Sequence, residues 1–184
     1  ADAFGFTETE VFAALEEVGL SEEKERVKYW YDGFTFGKQR DIYNPWSIIN
    51  LLDKGKIGIY WANTSSNGLI SKLIREGNKN IKETFEGLLK GENLRTKIDE
   101  QIVYSQLDYD ETAVWSLLLA SGYLKVVEYQ EVINGLDSEW VYELAITNHE
   151  TRSMFADMIK GWFGTVRYEY NDFVKAMLLD DVDM

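Results

Sequence analysis

Apolar residues recur along this chain with two periods. Over most of its length they return every three or four positions, as amphipathic helices require, while between about 124 and 147 they alternate with polar ones. The first helical stretch, FTETEVFAALEEVGL, carries a complete start signature. Thr7 can cap, Glu10 can return a bond to the cap's own N–H, and Phe6 can staple onto Val11, with Gly19 closing the helix. SEEKERVKYW reads as a second helix capped by Ser21. YDGF then offers an Asp-Gly turn of the type I′ kind, followed by Phe34 and Phe36 in strand alternation. In YNPWSIINLLDKG, Asn44 caps, Pro45 takes the first helical position where its missing N–H costs nothing, and Gly55 lies past the end.

The pattern continues with an extended piece at IGIYW, a helix ending at Gly77 and another ending before Gly91. LRTKIDEQIVYSQLD is ambiguous, its β-branched residues favouring extended backbone over part of its length. DYDETAVWSLLLASGYL predicts an apolar helix capped by Asp108 or Asp110. LKVVEYQEV and EWVYELAIT, joined by INGLDS with its Asn134-Gly135 pair, predict a β-hairpin. Asn148 can cap a helix through HETRSMFADMIKGWF, and a last helix covers roughly 168–179. The whole is mainly α with a small antiparallel β-sheet. The weak break GENLRTK suggests a division into residues 1–92, helical with the aromatic turn, and 93–184, helix, hairpin and C-terminal helices.

Charge sharpens this division. The net charge is −13; residues 1–92 carry 12 Lys/Arg against 15 Asp/Glu, and residues 93–184 carry 7 against 17. Such a surface repels phosphate backbones unless its cations cluster. The helix-then-hairpin order at 111–147 has the layout of a recognition helix and wing. Its charges argue against duplex DNA, because residues 123–147 hold Lys125 against Glu128, Glu131, Asp137, Glu139 and Glu143. Cysteine is absent, which removes disulfides and thiolate chemistry. The longest apolar runs fall far short of the roughly 20 residues a bilayer demands, and the first residues lack the marks of a signal peptide. A soluble, cytoplasmic protein with no membrane partner is the expectation.

No catalytic constellation emerges. Gly33 to Gln39 imitates a phosphate loop, but three residues rather than four separate Gly33 from Gly37, and Gln39 follows Lys38 where Ser or Thr would hold magnesium. The single histidine, His149, has no evident partners for a metal site or a triad and reads as a surface or locally bonded side chain. Asp108, Asp110 and Glu111 serve as cap and first-turn acids rather than as a cation site. Glu22-x-Lys24 has a nuclease-like spacing but lies in a charged helix. The rings of Trp30, Tyr31, Phe34, Phe36, Tyr43, Trp46, Tyr60 and Trp61 are expected to form one packed cluster, with a partner surface as the competing reading.

Five segments appear in an order that brings a family to mind: WYDGFTFG at 30–37, YNPWSIINLL at 43–52, YWANTSSNGLI at 60–70, SGYL at 121–124 and YELAITNHE at 142–150. Together they resemble an AAA-ATPase-like family of bacterial and archaeal proteins, in which an ATPase core is followed by such a region and often by a PD-(D/E)XK nuclease-like domain. The motif residues are Trp30, Tyr31, Asp32, Gly33, Phe34, Gly37, Tyr43, Asn44, Pro45, Trp46, Trp61, Asn63, Thr64, Gly122, Tyr123, Asn148 and Glu150. The resemblance implies a lid-like helical part and a winged-helix-like module, non-catalytic by themselves, that contact an upstream ATPase core and a downstream nuclease-like domain. ATP and magnesium would belong to that core; none is expected on this chain, although a lid can offer a cation to the nucleotide, for which Lys38 and Arg40 are candidates. One departure stands out: Pro-Asn-x-Glu-Val is replaced by Thr147-Asn148-His149-Glu150-Thr151. A free-standing module binding protein or nucleic acid is the alternative.

Overall fold

The computed structural model of this chain describes residues 5–36, 39–61, 67–99, 107, 110–135 and 137–163. Within them the chain is mainly α-helical, with two three-stranded antiparallel sheets rather than one. Strand β1 (Phe6–Thr7) feeds α1 (Glu8–Glu17) through the reciprocal cap expected of its sequence. The Glu10 carboxylate accepts from the Thr7 N–H at 2.8 Å, and the Thr7 hydroxyl accepts from the Glu10 N–H at 3.4 Å. Helix α2 (Lys24–Tyr31) begins later than its pattern suggested. Ser21 opens a 3₁₀ turn, Ser21–Glu23, and caps nothing.

After α2 come β2 (Phe34–Phe36), β3 (Gln39–Tyr43) and α3 (Pro45–Lys54). Sheet order is β1-β3-β2, with Phe6 opposite Tyr43 and Phe34 opposite Ile42. Both ends of α3 obey the sequence: the Asn44 side chain accepts from the N–H groups of Trp46 and Ser47, and Gly55 adopts φ +62° beyond the last turn. Val11, Leu15, Val27, Tyr31, Tyr43, Ile48 and Leu51 close a first core beneath these elements.

The second part holds α4 (Asn67–Glu76), α5 (Lys79–Leu89), β4 (Leu94–Thr96), α6 (Glu111–Ala120), β5 (Leu124–Asn134), β6 (Asp137–Ile146) and α7 (His149–Phe163). Asn78 caps α5, and Asp110, not Asp108, caps α6. Sheet order is β4-β6-β5, so the first strand lies against the last, with the helix-and-wing layout of α6 and the hairpin intact. Strands β5 and β6 run further than expected. Asn134 pairs with Asp137, so Asn134 flanks the turn instead of sitting inside it. The connection shortens because Ile133 and Ser138 continue the ladder.

The cores do not divide at residue 92. Ile70, Leu73, Ile81 and Phe85 of α4 and α5 belong to the same cluster as Leu118, Leu144 and Phe155. These two helices need that partner, since their apolar stripes face the hairpin side of the molecule rather than α1–α3. The seam lies earlier, along 57–61: Ile57 and Tyr60 pack on the first core, Ile59 and Trp61 on the second. Ile59, Tyr60 and Trp61 alternate between the two bodies, as extended backbone does, while Ile57 breaks that period. The helix expected at 168–179 lies outside the described residues.

Candidate functional site

Among the described residues, a single buried carboxylate sits where the two cores meet. Asn148 caps α7 by accepting from the Thr151 N–H at 3.0 Å, which places Glu150 in the first helical turn with no exposed surface. One Glu150 oxygen accepts from the N–H groups of Tyr60 (2.7 Å) and Trp61 (2.8 Å); the other accepts from the Ser47 hydroxyl at 2.8 Å. An ionised group taken out of water costs several kcal/mol unless donors replace its hydration. Here α3, the 57–61 seam and the positive end of α7 supply that replacement together. Around it, the Asn148 amide donates to the Tyr31 carbonyl at 3.2 Å, and His149 lies against Tyr29 and Trp30 with ring centroids 4.6 Å away in both cases. His149 is thus clasped between rings rather than set on an open surface.

The aromatic turn is divided between the cores, not gathered into one cluster. Tyr31 and Tyr43 are fully buried in the first core, where the Tyr31 hydroxyl donates to the Gly58 carbonyl at 2.8 Å and accepts the Gly58 N–H at 2.9 Å. Burial pushes both phenols well above the ordinary tyrosine range, so they act as donors and packing groups, never as phenolates. Tyr60 is raised as well, by burial first and the Glu150 charge second. Phe34 and Trp61 instead start a run of rings into the second core: Phe34–Trp61 at 5.4 Å, Trp61–Tyr123 at 5.3 Å, Tyr123–Phe155 at 5.7 Å. Trp46 packs in neither; it is 57% exposed. Its place in the first turn of α3 points it away from the core that Ile48 and Leu51 enter.

The Asp32-Gly33 pair is no type I′ turn either. Asp32 ends α2 at φ −71°, and only Gly33, at φ +126°, is in left-handed territory. The reason for glycine is proximity: a Cβ there would lie 2.2 Å from the Thr147 carbonyl oxygen. Gly122 does similar work at φ +81°, where a Cβ would meet the Phe34 ring at 3.0 Å. Thr147 is buried, its hydroxyl donating to the Gly122 carbonyl at 2.7 Å. The Asp32 carboxylate accepts from the Gly33 N–H at 2.6 Å, and burial, reinforced by nearby Asp41, pushes its pKa up.

The open face of this arrangement is a groove of about 1090 Å³ between β2, the end of α6 and the hairpin. Gly33, Arg40, Gly122, Lys125, Tyr129 and Trp140 are among its walls. Arg40 therefore borders an open site, exposed on β3, while Lys38, Gly37, Asn63 and Thr64 lie outside the described residues. Sequence reading named neither Ser47 nor the exposed pair Tyr129 and Trp140. Ser47 looks like ordinary helix polarity, and nothing local says that its partner is 103 residues away. Tyr129 and Trp140 read as strand residues, with the exposure decided by how far the hairpin projects. Among the described residues, no three His, Asp or Glu side chains are placed to share a metal ion, and no helix is long and apolar enough to cross a membrane.

No protein-family model matches the chain, and no solved structure matches it. Among curated proteins, it is similar to an Azotobacter chroococcum mcd 1 protein described as "Uncharacterized protein in vnfD 5'region", with 24% identity over 130 residues. Those residues make up 70% of this chain and 23% of that protein, so the chain spans about a quarter of the relative's length.

Proposed function

We propose that this chain is a non-catalytic connecting module of a larger AAA-ATPase-like protein, a lid-like part and a winged-helix-like part held as one body for contacts with neighbouring domains. One observation carries the reading. Segments that hold the family resemblance converge on the joint around Glu150: Tyr31 through its carbonyl, the Asn44-capped helix through Ser47, the seam through Tyr60 and Trp61, and Asn148 as the cap. Side chains spent on that joint explain the motifs as architecture. The relative, in which the matching stretch is 23% of a much longer chain, is consistent with a region that works alongside other domains. ATP and magnesium would be held by the ATPase core, with Arg40 and Lys38 the candidates to offer the nucleotide a cation. Duplex DNA is a poor partner for the isolated chain, given five acids to one lysine in 123–147.

Reading the gene upstream of the Ala1 codon tests this directly. Walker A and Walker B motifs in frame are expected; a start codon next to Ala1 would overturn the reading in favour of a free-standing binding module. Calorimetry of the isolated chain with Mg-ATP should be flat, and a dissociation constant of about 10 μM or tighter would contradict it.

A further inference from the structure

We infer that the hairpin is a docking site for a basic, extended segment of a partner protein, which adds as a strand to the outer edge of β5 and lays its cationic side chains over Tyr129 and Trp140. The sheet order β4-β6-β5 leaves β5 at the edge, with 11 residues and no proline in it. Edge strands in isolated proteins are commonly guarded by lysines, prolines or a covering element. This one has Lys125 at its base and, from there to the turn, only apolar, acidic and amide side chains.

The ladder has an irregularity between Val126 and Glu128, and its effect is directional. Cross-strand partners share a face, so Val126 opposite Leu144 marks the core side. An uninterrupted strand would next place residue 128 there. The extra residue instead brings Tyr129 opposite Tyr142, Glu131 opposite Trp140 and Ile133 opposite Ser138 onto that side. The core face is thereby continued into solvent as an aromatic strip, Tyr129 being 5.7 Å from Trp140 and 5.9 Å from Tyr142 between ring centroids. Tyr129, Trp140 and Ile133 remain 62%, 50% and 70% exposed.

Charge selects the occupant. Glu139 is paired with Lys97 at 2.8 Å, and the Asn93 amide donates to Glu143 at 2.5 Å. Glu128, Glu131 and Asp137 have no ion-pair partner among the described residues, and the first two lie on the edge strand itself. Acids beside exposed rings suit arginine and lysine, which gain from both; they repel a phosphate backbone. Backbone pairing along the edge supplies affinity, and alternate side chains on the strip supply selectivity.

This inference rests on the chain being a contact module, yet its test is independent of the upstream gene. The probes are a synthetic nine-residue peptide alternating Arg/Lys with Val/Thr, its Asp/Glu counterpart, a copy N-methylated at alternate residues, and a 15-nucleotide oligo-dT, each labelled for fluorescence anisotropy. The basic peptide should bind and the acidic one should not. Tyr129→Ala, Trp140→Ala and backbone N-methylation should each weaken binding about tenfold or more, and Glu131→Lys should weaken it further as charge reverses. Both aromatic variants are at exposed positions, and their folding is checked by circular dichroism. Basic-peptide binding that survives Tyr129→Ala and Trp140→Ala, no binding up to about 1 mM, tighter binding of oligo-dT, or a dimer abolished by Trp140→Ala would each overturn the proposal.

Discussion

Replacing Glu150 by alanine removes one acceptor group from three donors at once. The Ser47 hydroxyl and the N–H groups of Tyr60 and Trp61 are left behind, and each buried donor without a partner costs about 1–3 kcal/mol. Tyr60 and Trp61 are only partly buried, so water can recover some of that loss. The expected cost is about 3–5 kcal/mol, the lower part of the sum for three such donors. For a chain of this length that lowers Tm by roughly 6–20 °C. Glu150→Gln is a gentler probe. Its amide oxygen can still accept from the two backbone N–H groups, and the Ser47 hydroxyl can rotate to accept from the amide nitrogen. What remains lost is the charge at the helix start, about 1 kcal/mol. Urea melts followed by tryptophan fluorescence give both values. Because the carboxylate joins two cores, the alanine variant should also show a smaller m-value, as one core loosens before the other. A Glu150→Ala chain within about 0.5 kcal/mol of the parent, with an unchanged m-value, would refute the joint.

Gly33 and Gly55 separate crowding from backbone strain. Gly55→Ala, at φ +62° in open space, should cost about 1 kcal/mol, whereas Gly33→Ala must also displace the Thr147 carbonyl and should cost about 3 kcal/mol or more; equal costs in urea melts would contradict the close approach. Trp46→Ala should cost under about 1 kcal/mol because the ring is exposed, and Trp30→Ala about 2 kcal/mol through lost contacts with His149 and the first core; the reverse order would place the rings wrongly. Asp32 titrates higher in the folded chain than unfolded, so its contribution is present below the usual aspartate range near pH 4 and is lost as pH rises through the folded value. Asp32→Asn keeps an acceptor for the Gly33 N–H and should raise Tm at pH 7 more than at pH 3.5, as differential scanning calorimetry at the two pH values will show.

Legibility in the sequence followed the range of the interaction. Caps at Thr7, Asn44 and Asn148 depend on residues two or three positions away and were readable, as was the cap of α6 to within Asp108 or Asp110; the Asn78 cap of α5 was not singled out. The hairpin was readable from alternation, but its turn was displaced because pairing of Ile133 with Ser138 outweighed the local preference of Asn134-Gly135 for the central positions. The same competition explains Asp32-Gly33. A local rule assigns that pair to a hairpin turn, yet the glycine is demanded by Thr147, 114 positions on. The division of the cores was misplaced for a related reason. A shift in charge near residue 92 is a property of the surface, whereas α4 and α5 are assigned to a core by what their buried faces touch. Trp46 was expected inside on hydrophobicity alone; its position at the start of α3, opposite to Ile48 and Leu51, overrides that.

The segment 147–151 combines positions that the joint could fill in more than one way with positions that it could not. A proline at 147 could offer only a carbonyl there. Thr147 keeps that carbonyl against Gly33, adds a hydroxyl bond to Gly122 and gives its N–H to the Tyr123 carbonyl at 3.2 Å. Thr151 has the β-branched shape that a valine would also supply, and its hydroxyl donates to the Asn148 side chain at 3.0 Å. Both threonines are buried, and each hydroxyl has a partner, so neither leaves an orphaned group in the core. Asn148 and Glu150 have no such latitude. The cap needs a short acceptor, and the three donors converging on Glu150 need two oxygens at the reach of a glutamate. Positions 147 and 151 are those where packing and backbone can be satisfied in two ways; at 150 one carboxylate must serve donors from both α3 and the 57–61 seam.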